Sequence, residues 1–112
     1  MAETIIPDNV GRAIKEFCEL LRGELGANLL GIRLFGSVVR GTATPESDID
    51  ILVLVQREDR ATREAIIGAT VGMNLKHDVV ISPVIMSAER YSAPLFRETH
   101  FYKSLQEEGI PL

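Results

Sequence analysis

The sequence predicts a small α/β fold in which helices pack against a mixed β-sheet. Two mostly apolar runs, residues 29–35 and 49–55, have the length and composition of strands, and the second is continuously apolar after Asp50. A helical repeat of apolar residues precedes the first run, and further helical segments follow the second. With 112 residues and 46% hydrophobic content, the chain has enough apolar material for one core. We therefore expect a single domain over residues 1–112.

The first predicted helix begins near Pro7 and Asp8 and ends at Gly26. Asp8 is a candidate N-cap, because its short carboxylate can accept a hydrogen bond from a free backbone amide of the first turn. An apolar stripe at helical spacing marks the face that packs on the core. Cys18 lies on this apolar side, which favours a buried small hydrophobe over a redox thiol.

Two strands follow, joined by a short helix or turn. The first strand covers residues 29–35 and is closed by Gly36, after which residues 37–41 form the short helix or turn. The second strand covers residues 49–55 and is continuously apolar after Asp50. A strand of that kind is buried on both faces, so we place it in the centre of the sheet.

The second half of the chain predicts two more helices and one strand. A helix covers residues from about 59 to 73, and a strand covers residues from about 77 to 86. Pro83 interrupts that strand and indicates a sheet edge or a bulge, because proline has no backbone N–H to donate a hydrogen bond to a neighbouring strand. A last helix covers residues 94–108, with Pro94 as its first residue and Gly109 as its C-cap.

Charge and cysteine content exclude several classes of protein. The net charge of −4 and the absence of a lysine-arginine cluster argue against tight binding to a nucleic-acid backbone. A single cysteine cannot form an internal disulfide, and no apolar run approaches the length of a membrane span or a signal sequence. We therefore predict a cytoplasmic protein with neither nucleic acid nor membrane as its partner.

Asp48 and Asp50 lie at the head of the second strand, separated by Ile49. Because side chains alternate between faces along a strand, the two carboxylates point the same way while Ile49 turns into the core. Paired carboxylates suit Mg²⁺ or Mn²⁺, and Mg²⁺ usually binds through one or two carboxylates together with substrate phosphates. The sequence therefore predicts a metal site at Asp48 and Asp50.

Gly36 and Ser37 form the candidate phosphate-binding turn. Glycine lets the backbone approach a phosphate closely, and Ser37 places a hydroxyl and an amide at the start of the short helix. Arg40 would add a positive charge, although a surface ion pair with Glu46 or a nearby aspartate explains it almost as well. Taken alone, the pair is explained by an ordinary strand-to-helix turn with a serine cap, and its distance from the two aspartates favours the functional interpretation.

These motifs resemble the signature of the DNA polymerase beta-type nucleotidyltransferase superfamily, in particular its minimal nucleotidyltransferases. The shared pattern is a Gly-Ser pair, ten intervening residues and Asp-x-Asp, and it is matched by Gly36, Ser37, Arg40, Gly41, Ser47, Asp48 and Asp50. The resemblance is firmest over residues 29–55. It implies the nucleotidyltransferase fold and a magnesium-dependent transfer of a nucleoside monophosphate, most of all AMP from ATP, to a hydroxyl acceptor.

The resemblance also implies a third carboxylate on a neighbouring strand, for which Asp78 is the best candidate. Asp78 stands at the start of the third predicted strand, as Asp50 stands at the start of the second. It would hold the catalytic metal and help to accept the proton of the acceptor, unless it is only a hydrogen-bonded residue at a strand start. Asp59 is the weaker alternative, since a solvated helix cap explains it. Ser47 is expected to orient the Asp-x-Asp turn rather than to contact the substrate.

The acceptor is implied by resemblance alone. Small relatives are often paired with an all-helical HEPN protein, as antitoxins that adenylylate a tyrosine of a toxic partner. A partner of this kind would replace the acceptor domain for which this chain has no residues. The alternative is a non-catalytic nucleotide- or partner-binding module of the same fold, which the intact Asp48 and Asp50 disfavour. Apolar residues 95–105 could form a partner surface, although packing on the sheet is the default expectation.

Overall fold

A four-stranded mixed sheet forms the centre of the protein. A computed structural model describes residues 6–44 and 46–112. The strands are β1 (Leu29–Phe35), β2 (Ile49–Val55), β3 (Ile81–Ser87) and β4 (Ile110–Pro111), in the spatial order β3-β2-β1-β4. β1 pairs antiparallel with β2 and β4, whereas β2 pairs parallel with β3. The predicted α/β class is confirmed, and residues 1–5 and 45 of the predicted domain lie outside the described residues.

Six α-helices surround this sheet within the described ranges. They are α1 (Asp8–Leu25), α2 (Ser37–Arg40), α3 (Arg60–His77), α4 (Ala88–Ser92), α5 (Pro94–Arg97) and α6 (His100–Glu108). α1 has the predicted span, but its N-cap is Pro7, and Asp8 is already the first helical residue. The cause is the extended backbone of Pro7, whose ψ is 149°. Of the helices described, none is both long enough and apolar enough to cross a membrane.

The larger core lies between the sheet and the pair α1 and α3. On this face β2 presents four side chains that are at most 2% exposed, Ile49, Ile51, Val53 and Val55. Phe17 of α1 and Ile66 of α3 are completely buried against them. Cys18 belongs to the same cluster, and its burial raises the pKa of its thiol, so its interpretation as a buried small side chain is confirmed.

The C-terminal helices cover the opposite face of the sheet. A second cluster there joins Leu52 and Met86 to Leu105 of α6, with aromatic rings packed around them. Leu105 is fully buried, and Phe96 and Phe101 pack against its cluster, so packing on the sheet accounts for these residues, while Leu95 is 86% exposed. Arg33 of β1 fixes the end of α6, because its Nη1 donates a hydrogen bond of 2.9 Å to the Leu105 carbonyl.

The prediction of one continuous last helix was wrong. α5 ends at Arg97, and a new helix, α6, starts at His100. Thr99 causes the break, since its Oγ1 accepts a hydrogen bond from the Tyr102 amide at 3.1 Å and donates one to the Phe96 carbonyl at 2.6 Å. Pro94 at the first helical position and Gly109 at the C-cap of α6 are confirmed.

The boundary between α3 and β3 also differs from the prediction. α3 continues to His77 rather than about residue 73, and β3 begins at Ile81 rather than about residue 77. Asp78 ends the helix in a left-handed conformation with φ 54°, and its N–H bonds to the Asn74 carbonyl. β3 is an edge strand in unbroken register with β2, so Pro83 marks an edge and not a bulge. β2 is central, as predicted.

We expect Leu105→Ala to lower the free energy of unfolding by about 2–5 kcal/mol, as for other buried leucines that leave a cavity. Leu95→Ala, on the preceding helix, is the matched control and should change it by less than about 0.5 kcal/mol because the side chain is exposed. Urea unfolding followed by circular dichroism measures both values. Equal losses in the two variants would contradict the packing of α6 on the sheet.

Candidate active site

The site forms where β1 turns into α2 and β2 begins. Gly36 ends β1 with φ 82° and ψ −154°, a conformation that is essentially restricted to glycine. The antiparallel pairing of β1 and β2 places Phe35 opposite Asp50, so the turn at Gly36 adjoins the head of β2. Ser37 then opens α2, which closes at Gly41. The two halves of the motif, ten residues apart in sequence, therefore meet in space.

Gly36 and the Asp50 carboxylate are in direct contact. A Cβ atom built on Gly36 would overlap Asp50 Oδ2 and would lie 3.0 Å from Asp50 Cγ. Any side chain at position 36 would thus displace the carboxylate. The requirement for glycine follows both from this contact and from the positive φ.

Burial raises the pKa of Asp50 above its ordinary value, the charge of Asp48 raises it further, and the charge of Arg40 lowers it. Asp50 is half-buried beside Phe35, while Asp48 is exposed. Across the described part of the chain, neither carboxylate accepts a hydrogen bond. Two adjacent carboxylates without donors form a negative site that a divalent cation would neutralise.

Arg40 has a partner that the sequence did not indicate. Its Nη1 lies 3.4 Å from Oε2 of Glu108 at the end of α6, with the two side chains 53% and 43% exposed. An exposed pair of this kind contributes little stability, so Arg40 can move to another anion at small cost. The partners considered from sequence were Glu46 and the nearby aspartates. Glu108 is 68 residues away, and no local pattern connects the two.

Ser47 orients the loop that leads into the aspartates, as the sequence indicated. Its hydroxyl accepts a hydrogen bond of 2.8 Å from the Thr44 amide, and its own amide donates one of 3.0 Å to the Thr44 carbonyl.

Asp59 is a helix cap, because its Oδ1 accepts a hydrogen bond of 2.8 Å from the Thr62 amide, and this bond lowers its pKa. The cap accounts for Asp59 without a metal.

Asp78 does not stand at a strand start, so that part of the prediction was wrong. It is exposed, caps α3 and precedes β3 by three residues. It lines a cavity of about 730 Å³ together with Ile49, whose side chain lies on the face of β2 opposite to Asp50. In residues 6–44 and 46–112, no three His, Cys, Asp or Glu side chains are grouped to hold a metal. The structure thus brings Asp50, Asp48, Gly36 and Arg40 together, and Asp78 lines a cavity that also includes Gly41 and Ser47.

Comparison with known proteins gives consistent matches. Residues 10–110 match the family model described as "Nucleotidyltransferase domain". A Methanocaldococcus jannaschii protein named "Putative protein adenylyltransferase" is 34% identical over 101 residues, which cover 90% of this chain and 95% of that protein. The Shigella flexneri "Aminoglycoside (3'') (9) adenylyltransferase" is 40% identical over 68 residues, which cover 60% of this chain and 26% of that protein.

Solved structures share the fold. One described as a "putative minimal nucleotidyltransferase" superposes with a TM-score of 0.59 at 26% identity, covering 91% of this chain and 94% of that chain. Another, described as a toxin-antitoxin with AMP-PNP, also gives a TM-score of 0.59, at 24% identity, and covers 87% of this chain.

We expect Gly36→Ala to weaken Mn²⁺ binding strongly, because the new methyl group displaces the Asp50 carboxylate. Gly41→Ala is the control, since Gly41 has φ 74° but no atom within 4 Å of an added Cβ. Gly41→Ala should lose about 1–2 kcal/mol of stability through left-handed strain, and Gly36→Ala should lose more, because its backbone conformation is essentially restricted to glycine and the added Cβ meets Asp50. Urea melts measure the strain and Mn²⁺ titration measures the site. A loss of binding in Gly41→Ala as large as that in Gly36→Ala would remove the contact as its cause.

Asp50→Asn should stabilise the metal-free protein at neutral pH. The pKa of Asp50 is raised in the folded state, so the folded protein holds its proton more tightly than the unfolded chain does. Stability is therefore lost as pH rises through that pKa, and the neutral amide avoids this loss. Urea midpoints of both proteins should differ at pH 7 and converge below the ordinary aspartate pKa of 3.8. Midpoints that differ equally at both pH values would contradict the electrostatic cause.

Proposed function

Because this chain belongs to the nucleotidyltransferase domain family, we propose that it transfers AMP from ATP to a hydroxyl group on a partner protein. Family membership makes the chain a nucleotidyltransferase. The nucleotide, the metal and the acceptor are the proposed parts. The observation that supports them most directly is the contact of Asp50 with the turn at Gly36, the turn that we propose to bind phosphate.

The Asp48 and Asp50 pair fits Mg²⁺ or Mn²⁺. Both carboxylates are without hydrogen-bond donors among the described residues, and the pKa of Asp50 is raised by burial and by Asp48. A divalent cation would relieve the repulsion between the two carboxylates. Mg²⁺ takes its remaining ligands from water and substrate phosphates. When bound, such ions neutralise charge that develops on the attacking and leaving oxygens. A role for Asp78 at the catalytic ion stays a prediction, with no support from its position in the helix cap.

Gly36, Ser37 and Arg40 are the proposed triphosphate-binding residues. The bare backbone at Gly36 permits close approach of a phosphate, and Ser37 adds a hydroxyl and an amide. Arg40 can exchange its exposed pair with Glu108 for a phosphate, which carries more negative charge. In the reaction, the acceptor oxygen bonds to the α-phosphorus as the bond to pyrophosphate breaks, and the hydroxyl proton is lost. These residues hold the phosphates in line for that displacement.

The relative matched over most of its length supports a protein acceptor. The M. jannaschii relative is named a protein adenylyltransferase, and the match covers 95% of its length and 90% of this chain. In contrast, the match to the aminoglycoside enzyme covers only 26% of that protein, so most of it has no counterpart in the aligned part of this chain. We propose a single domain over residues 1–112 that modifies a protein bringing its own binding surface. An HEPN-type partner is the class that the resemblance implies.

The test is AMP transfer with matched site variants. Labelled ATP, Mg²⁺ and the product of the neighbouring gene are incubated with the wild-type chain or with Asp48→Asn Asp50→Asn, and both chains are analysed by mass spectrometry. We expect AMP to be added to a hydroxyl of the partner protein in the wild-type reaction and not in the reaction with the double variant. Mg²⁺ and ATP should also stabilise only the wild type, by about 2.7 kcal/mol at one hundred times the dissociation constant. Efficient modification of a free sugar or antibiotic by this chain, without a protein partner, would refute the protein acceptor.

A further inference from the structure

Ser82 lies beside Asp50 in the sheet. The parallel pairing of β2 and β3 sets Asp50 opposite Ser82 and Ile49 opposite Ile81. Side chains alternate between faces, so Ser82 and Asp50 share a face on strands about 4.8 Å apart. Ile49 and Ile81 are both buried in the core on the other face, which agrees with this assignment.

The Ser82 hydroxyl is free for a ligand. The residue is half-buried, and within residues 6–44 and 46–112 its hydroxyl makes no hydrogen bond. A hydroxyl carries one donor and two acceptor lone pairs. It can therefore donate to the Asp50 carboxylate while offering an oxygen to an ion or to a water molecule bound to that ion.

No carboxylate takes the corresponding place on β3. Asp78 precedes Ser82 by four residues and belongs to the cap of α3. The described residues also contain no three-ligand cluster. Ser82 is thus the β3 residue in register with Asp50, and its side chain is neutral.

We propose that Ser82 is a positioning residue of the transfer site, whose neutral hydroxyl, in place of a third carboxylate, faces the ion held by Asp48 and Asp50. This inference rests on the proposed metal site. Its consequence is a site with two negative charges in place of three, which binds a divalent ion more weakly without a nucleotide and depends on phosphate oxygens to complete the ligand set.

Mn²⁺ binding without nucleotide tests the role of Ser82, read from the loss of the free-ion signal in electron paramagnetic resonance. Ser82→Ala should weaken Mn²⁺ binding about tenfold. This is the lower end of the loss in metal affinity that follows when a residue that orients a metal ligand is removed. Ser82→Thr keeps the hydroxyl and should bind as the wild type does. Ser82→Asp should bind about tenfold tighter or more, since an added charged oxygen ligand raises affinity for a hard cation.

Ser92→Ala and Ser92→Asp are the matched controls, because Ser92 is exposed at the end of α4. Neither should change Mn²⁺ affinity, so they separate a local effect from a change in net charge. Urea melts without metal add a second readout. Ser82→Asp should be less stable than Ser92→Asp, because its charge joins those of Asp48 and Asp50.

The outcomes separate this inference from the proposed function. Wild-type binding that is lost in Asp48→Asn Asp50→Asn but unchanged in Ser82→Ala and Ser82→Asp would overturn the role of Ser82 alone. A tenfold loss in Asp78→Asn with no change in the Ser82 variants would assign the third position to Asp78. Absence of Mn²⁺ binding by the wild type would overturn both. If Ser82→Asp does not fold, the contrast between Ser82→Ala and Ser82→Thr decides.

Discussion

The contact between Gly36 and the Asp50 carboxylate is the constraint on which the site depends. It exists because antiparallel pairing places Phe35 opposite Asp50, so that the residue after β1 lies against the head of β2. A shift of one residue in this register would turn Asp50 into the core and Ile51 out of it. The apolar alternation that buries Ile51 and Val53 therefore also fixes the position of the carboxylate. Core packing and site geometry have the same cause.

Different helices cover the two faces of the sheet. α1 and α3 fill one face with the larger core, which packs on Ile49 and Ile51 of β2, whereas Asp50 lies on the opposite face. The C-terminal helices cover the other face, where Phe101 packs on Phe35 at 5.3 Å between ring centroids. Phe35 pairs with Asp50 in the sheet, so this aromatic contact lies next to the carboxylate whose pKa is raised by burial. The same helix, α6, also supplies Glu108, the ion-pair partner of Arg40.

The sequence predicted the parts of the site that depend on local pattern. β1 and β2 were placed correctly because each is a mostly apolar run with a clear limit, Gly36 after β1 and the two aspartates at the head of β2. It failed where a single backbone conformation decides, since the left-handed Asp78 lengthens α3 and delays β3. Contacts between residues far apart in the sequence could not be predicted either. The contact of Arg40 with Glu108 and the two-residue strand β4 arise only when the C-terminal segment folds back on β1.

The neutral side chain at Ser82 changes how the charge of the site is balanced. Three convergent carboxylates would repel one another strongly before any cation arrived, and part of the folding free energy would oppose that repulsion. With Ser82 in register beside Asp50, the metal-free site carries two negative charges and Arg40 lies near enough to offset part of them. Fewer protein ligands leave more positions on the cation for phosphate oxygens. Under the proposed function, metal and triphosphate would therefore stabilise each other's binding, and the site would be complete only with both.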